Sequence, residues 1–265
     1  EVLAQDKPYS VLTLIDACAK KEMGFHQSIV LVKQNQGKKF QNLLSDFPAE
    51  TLHETIPDFH NTPHRFRQLK DSIRSDNMGR AAAVREEIDF LLSVQDMACK
   101  LTDLYNAGQL PLRVTHNDTK ISNILFDATT DEVLCAIDLD TVMSSTSLND
   151  FGDAIRSYTN TGAEDDKDLS RVGMDLEMFR AYAEGFLSER KSTMTPSELE
   201  WLAFSGLYIT YEQVLRFLMD YIDGDKYYKT AYADHNLVRT RAQYKLLQSM
   251  EGQYSQMQSI IGNLL

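Results

Sequence analysis

One stretch of this chain gathers residues that could do chemistry together. It runs Val114-Thr115-His116-Asn117-Asp118-Thr119-Lys120-Ile121-Ser122-Asn123, and after a short interval comes Ile137-Asp138-Leu139-Asp140. The pattern is His-x-Asp-x4-Asn followed by an acidic strand end. Phosphoryl transfer asks for these side-chain types. A carboxylate must lie beside the attacking hydroxyl to orient it and take its proton. An amide oxygen and a second carboxylate must hold Mg2+ on the nucleotide phosphates. Asp118 is the candidate base, and Asn123 and Asp138 are the candidate metal ligands. A His-x-Asp-x4-Asn match alone recurs by chance. Joined to a hairpin and a second acidic strand end, it carries weight.

Each residue also has a structural reading. Asp118, in an Asn-Asp-Thr loop, could cap a turn, and Asn123 could serve only to satisfy backbone groups. Asp138 interrupts an apolar strand end, where a carboxylate is costly without a partner. His116 reads as a support that packs and hydrogen-bonds the loop. Lys120 is either a solvated charge or a phosphate contact, and Asp140 a supporting carboxylate or a second metal contact. The triplet Asp150-Phe151-Gly152 spells another metal-binding signature, but it lies past a polar loop and opens a helix. Position favours Asp138 for the metal and leaves Asp150 to cap that helix or hydrogen-bond the loop.

The elements around this stretch are mostly helical. Residues 9–15 (YSVLTLI) read as one strand, and 28–47 turn helical through Leu31, Phe40, Leu43, Leu44 and Phe47. Residues 48–64 hold three prolines and read as a loop. A helix is expected near Pro63, with Thr62 as cap and Pro63 at the first position. The strongest periodicity lies in 79–106, where Val84, Ile88, Leu91, Val94, Ala98, Leu101 and Tyr105 step by three or four, with Gly108 ending the run. The period changes over 113–140. Residues 124–126 and 133–137 flank the polar turn DATTDE and predict a short hairpin. After about Leu148 the chain reads as helical again. Thr195-Pro196-Ser197-Glu198 is a capping box opening a helix to about Ile222, and a last helix covers about 235–261. The fold class expected is α+β, mostly helical, with a small β-hairpin insert carrying the reactive loop.

Composition narrows the partners. The chain of 265 residues carries a net charge of −12, which argues against a nucleic-acid protein held by a basic stripe. An anionic substrate would need a local cationic device such as a metal ion. No apolar run approaches the ~20 residues of a membrane span. Cys18, Cys99 and Cys135 are widely spaced and odd in number, which suits a reducing compartment such as the cytoplasm.

At these residues the chain resembles the aminoglycoside phosphotransferase and choline kinase superfamily, with its His-x-Asp-x4-Asn loop and Ile-Asp-x-Asp strand end. More narrowly, HETIPDFHNTP (53–63), VTHNDTKISNILFD (114–127), CAIDLDTVM (135–143), NDFGDAIR (149–156), RFLMDYIDGDKYY (216–228) and HNLVRTRAQ (235–243) look like segments of the N-acetylhexosamine 1-kinases. The resemblance implies a protein-kinase-like fold and transfer from ATP, with Mg2+, to the anomeric hydroxyl of an N-acetylhexosamine. It makes Asp118 the base, Asn123 and Asp138 the metal ligands, and Arg216 and Tyr227 sugar contacts. Arg216 sits within an apolar run, where its charge needs a partner. The competing reading is an i,i+4 salt bridge to Asp220, and Tyr227 could simply pack.

Kinases of this superfamily also have an N-terminal β lobe. Here residues 1–19 would be a remnant of it, with Leu12 and Leu14 on the strand where the adenine docks, and 20–265 the helical C-lobe. The expectations are a C-lobe with reduced activity of its own, and a homodimer through the uncovered hinge or an unusual packing of 9–15. The alternatives are a kinase of choline, ethanolamine, an aminoglycoside or another sugar, or an inactive truncated binding module.

Overall fold

The structure, a computed structural model, describes residue 44 and residues 46–129 and 133–265. The strand expected at 9–15, with Leu12 and Leu14, lies outside the described residues, as does most of the helix expected over 28–47. Residues 44, 46 and 47, at the end of that helix, form turns and a bend, because Pro48 disfavours helix in the residue before it.

Eight helices follow among the described residues: α1 (Thr62–Ser75), α2 (Arg85–Ser93), α3 (Gln95–Ala98), α4 (Lys100–Asn106), α5 (Ser147–Tyr158), α6 (Leu176–Arg190), α7 (Pro196–Asp223) and α8 (His235–Leu264). Four short strands interrupt them in two antiparallel pairs. β1 (Arg113–Thr115) pairs with β4 (Met143–Ser145), with Val114 opposite Ser144, and β2 (Ile124–Phe126) pairs with β3 (Val133–Ala136), with Leu125 opposite Cys135. The β2–β3 hairpin is the one the sequence predicts. The β1–β4 pair was not anticipated, and it closes the loop carrying the hairpin into one unit.

α7 is the axis of the molecule. Thr195 and Glu198 form the reciprocal capping box, Pro196 occupies the first turn, and Gly224 ends the helix at φ 95°. Nearly every residue from Leu202 to Ile222 is buried, so burial runs around this helix rather than along one stripe. α8, α5 and α1 pack against it. The crossing with α5 is close enough that a Cβ on Gly152 would lie 2.3 Å from the Ser205 carbonyl oxygen. Phe151 packs among Phe179, Tyr182 and Phe186. Two residues of the Asp-Phe-Gly triplet thus serve helix packing.

Three expectations need correction. The single helix over 79–106 is a 3-10 turn at Ala81–Val84 followed by α2, α3 and α4, with joints at Val94 and Cys99. Val84, Ile88, Leu91, Ala98 and Leu101 are still all buried, so the period reported burial and not continuity. The cap of α1 is Asn61, which accepts the His64 N–H at 3.1 Å, and not Thr62. The Thr62 hydroxyl instead reaches Tyr208 and Glu212 on α7. The chain after Leu148 is also not helical throughout. Residues 159–175 form a loop closed by an Asn160–Met174 bridge, with one 3-10 turn at Leu169–Arg171.

Candidate active site

The loop from His116 to Asn123 is fastened to the first turns of α5. Asp150 accepts backbone N–H groups from His116 at 3.1 Å and Asn117 at 2.7 Å, and its carbonyl accepts the Thr119 hydroxyl at 2.7 Å. Asn117 makes this possible by adopting φ 64°, a left-handed conformation that Asn tolerates better than most residues. Its side chain bridges to the Thr141 carbonyl and to Thr115. α5 itself is capped by Thr146, so Asp150 holds the loop and does not cap the helix.

His116 braces the loop from within. Its Nε2 lies 3.0 Å from the Ile137 carbonyl, and its Nδ1 accepts the Asp118 N–H at 3.3 Å. These partners put the ring hydrogen on Nε2. The ring ties the loop to the chain leaving β3, at the open end of the hairpin, where the Asn123 carbonyl also accepts the Ile137 N–H at 2.9 Å.

Asp118 is held at one oxygen. Its Oδ2 accepts the Asn123 amide at 2.9 Å and pairs with the Lys120 ammonium at 2.6 Å. Oδ1 has no partner among the described residues, and the side chain is 23% exposed. Burial works to lower the pKa of Lys120, but the Asp118 hydrogen bond and charge, with help from Asp153 and Asp138, raise it overall. Lys120 therefore stays a cation at the site.

Asp138 follows β3 at φ 62°, and the chain turns there into the 3-10 segment Leu139–Thr141. Asp138 and Asp140 are both exposed. Partial burial, then the hydrogen bond and charge of Asp140, push the Asp138 carboxyl above its ordinary value, against the pull of Lys120. Among the described residues no group of three His, Cys, Asp or Glu side chains has metal-holding geometry. A Mg2+ ion bound to nucleotide phosphates does not need one, because it usually takes one or two carboxylates and completes its shell with phosphates and water. The oxygen donors of Asn123 and Asp138 fit that demand.

A cavity of about 410 Å³ opens beside the loop, between residues 50–61, α4 and the β4–α5 turn, with Asn117 in its wall and Tyr208 among the residues that line it. Among the described residues of the reactive loop only Asn117 lines it, and Asp118, Asn123, Asp138, Arg216 and Tyr227 do not. The Arg216 side chain is 11% exposed and pairs with Glu212 at 3.7 Å, so its partner is the residue four before it and not Asp220. Its guanidinium also lies 5.0–5.8 Å from the rings of Phe59, Tyr227 and Tyr228. Asp220 is engaged elsewhere, accepting the N–H groups of Lys226, Tyr227 and Tyr228 and the Asn236 amide. Tyr227 is 65% exposed. Arg216 meets the cavity only through neighbours, Phe59 directly and His60 by way of Glu212.

Three residues of the cavity wall that the sequence reading did not single out are His60, Asn149 and Tyr208. His60 and Tyr208 meet partners more than 100 residues away, and no local pattern reports that.

A phosphate-transferring class of protein is what such a loop and hairpin define, and comparison agrees. The family model for the phosphotransferase enzyme family (APH) matches residues 33–184. That is more than half of the chain, and the chain belongs to this family. The match contains Asp118, Asn123, Asp138 and Asp150, and ends before Arg216 and Tyr227. No helix among the described residues is long and apolar enough to cross a membrane.

Proposed function

We propose that the protein transfers the terminal phosphoryl group of ATP, with Mg2+, to a sugar hydroxyl, and that the acceptor is the anomeric hydroxyl of an N-acetylhexosamine. The observation that carries the reading is the state of Asp118, which is restrained at Oδ2 by Asn123 and Lys120 and open at Oδ1. A carboxylate so arranged can accept an incoming hydroxyl hydrogen without first giving up its own anchor. In this reading Asp118 orients the acceptor hydroxyl and takes its proton as the oxygen attacks phosphorus. Asn123 and Asp138 hold Mg2+, which when bound neutralises charge on the phosphates. Lys120 adds a second cation, and His116 and Asp150 act by keeping the loop in shape. The segments that resemble those of N-acetylhexosamine 1-kinases support this acceptor. The free thiols of Cys99 and Cys135 suit a cytoplasmic setting.

The second reading is a kinase of an amino compound such as choline, ethanolamine or an aminoglycoside. Glu50, Glu54 and Asp58 in the cavity wall favour it, since carboxylates attract an ammonium group. The test is phosphoryl transfer from labelled ATP to N-acetylglucosamine, N-acetylgalactosamine, choline and kanamycin, with and without Mg2+. Asp118→Asn serves as the control. Mg2+-dependent labelling of the N-acetylhexosamines, lost in Asp118→Asn, is the expected result. Labelling of choline or kanamycin alone would replace the first reading by the second.

A further inference from the structure

We propose that His60 and Asn149 select the acceptor, and that their cavity takes a neutral or cationic molecule bearing several hydrogen-bond donors and refuses an anionic, already phosphorylated one. This rests on the phosphotransferase reading of the neighbouring loop. It assigns acceptor recognition to residues other than Arg216 and Tyr227.

The argument begins with two buried polar atoms that lack partners. The His60 side chain is 10% exposed, and its Nδ1 lies 3.1 and 3.3 Å from the two oxygens of Glu212. Glu212 is itself buried. Burial pushes its carboxyl upward, but His60 and Arg216 outweigh that and hold it below the ordinary value. Facing a carboxylate, Nδ1 carries the hydrogen. The other ring nitrogen, Nε2, is buried and has no hydrogen-bond partner among the described residues. His60 lines the cavity and Glu212 does not, so Nε2, the nitrogen turned away from Glu212, is the one left for a ligand, which must displace the wall that now covers it. Asn149 is 2% exposed and repeats the pattern. Its amide donates to the Ser145 hydroxyl at 2.7 Å, while its Oδ1 is buried and unmatched. Ser145 and Asn149 both line the same cavity. Buried polar atoms are nearly always satisfied, and two exceptions in one cavity mark where a ligand completes the bonds.

The wall states what kind of ligand that is. Glu50, Glu54 and Asp58 contribute carboxylates, and among the described residues no lysine or arginine lines the cavity. A phosphorylated or carboxylated acceptor would meet like charge without a cation to offset it. A molecule with several O–H or N–H groups would meet acceptors on more than one side, and Phe59 and Tyr105 supply ring faces for its apolar surface. An amino sugar or its N-acetyl derivative has this chemistry. Glu212 is a positioning residue here. It fixes the imidazole without touching the acceptor, much as an outer partner orients a metal-bound histidine.

The test is direct binding, read by ligand-observed NMR without nucleotide, using N-acetylglucosamine, glucosamine and glucose 6-phosphate as probes. At least one of the first two should bind wild-type protein, and glucose 6-phosphate should bind about tenfold more weakly or not at all. His60→Phe keeps a ring and removes the nitrogens, and Asn149→Leu removes the amide; each should weaken binding by about tenfold, as expected for one lost buried hydrogen bond. Glu212→Gln should weaken it less. If His60→Phe melts unlike wild type, His60→Gln and Asn149→Leu decide the matter. Equal binding by wild type and the folded variants overturns the proposal. So does failure of both donor-rich probes to bind, or equal affinity for glucose 6-phosphate. Binding that depends on His60 without phosphoryl transfer to any acceptor would retire the kinase reading and leave the cavity assignment standing.

Discussion

The two halves of the candidate active site are built differently. From Thr115 to Asn123 the loop is held by the protein itself. Asp150 takes two of its N–H groups, His116 links it to Ile137, Asn117 ties it to Thr141, and Asn123 restrains Asp118. From Asp138 to Asp140 the chain is exposed, left-handed at its first residue, and carries two neighbouring carboxylates, of which partial burial and then the Asp140 interaction raise the pKa of Asp138. The first half is rigidly held, which on the proposed function suits a proton acceptor that must keep its place during the reaction. In the second, two exposed carboxylates lie close together, which favours the protonated form of Asp138, and on the proposed function a cation would relieve that repulsion. The restrained loop and the repelling carboxylates thus adjoin the same open end of one hairpin, where the Ile137 N–H meets the Asn123 carbonyl.

That contrast can be broken or sharpened by mutation. The largest effect is expected from Asp118→Asn, which should lower kcat by roughly 10²–10⁴ with little change in acceptor KM, the usual scale for loss of a general base. Its melting temperature should stay near that of wild type. A large rise in KM with kcat preserved would move the base elsewhere. Next comes Asp138→Asn. The Mg2+ concentration for half-maximal activity should rise by roughly 10–100-fold, while thermal stability is unchanged or slightly improved, since the folded state disfavours that charge. A clear loss of stability would show that Asp138 is pinned like the first half.

Asp150→Ala should act in the opposite way. It strips two buried N–H groups of their acceptor and should destabilise the fold by about 2–4 kcal/mol, measured by urea denaturation. The Mg2+ requirement of whatever remains active should be unaltered; a Mg2+ requirement that rose as in Asp138→Asn would give Asp150 to the metal. The smallest effect belongs to Glu198, behind the loop. There Arg113 at the start of β1 meets its carboxylate with Nε at 2.6 Å and Nη2 at 2.7 Å, and Ser147 adds a bond at 2.6 Å. Burial pushes the Glu198 carboxyl up, but these bonds and the Thr195 N–H win and hold it below the ordinary value. A depressed pKa gives stability that is present above the unfolded value and lost as pH falls through the folded one. Glu198→Gln should therefore cost about 2 kcal/mol near neutral pH. The difference should fade as the pH falls below ~4, the ordinary carboxylate range. A difference independent of pH would show that packing, not charge, is lost.

What the sequence reveals about this molecule follows the range of the interactions. The reactive loop, the β2–β3 hairpin and the capping box at Thr195 are legible because each is decided within a few neighbouring residues. Long-range partners are not. Thr62 has the composition of a cap, and only the fold shows that its hydroxyl is used by Tyr208 and Glu212, which leaves Asn61 to cap. Arg216 has Asp220 at a suitable helical spacing, yet Asp220 is claimed by the turn at 226–228 and Arg216 turns the other way, to Glu212. His60 lies in the segment 53–63 that carries the resemblance, yet nothing local tells that its ring meets Glu212. The 79–106 segment errs in another sense, since hydrophobic spacing survives two breaks that leave every buried position in phase.

The length of α7 has its own consequence. Glu198 secures β1, Tyr208 contributes to the cavity, Glu212 fixes His60, Arg216 sits in its ring cage, and Asp220 gathers the turn that follows. All five ride on one unbroken rod, at ~1.5 Å of rise and about 100° of rotation per residue. The helix therefore works as a ruler whose graduations are side chains. An added or deleted residue between Glu198 and Asp220 would swing every later graduation by about 100° and detach the anchor of β1 from the support of His60.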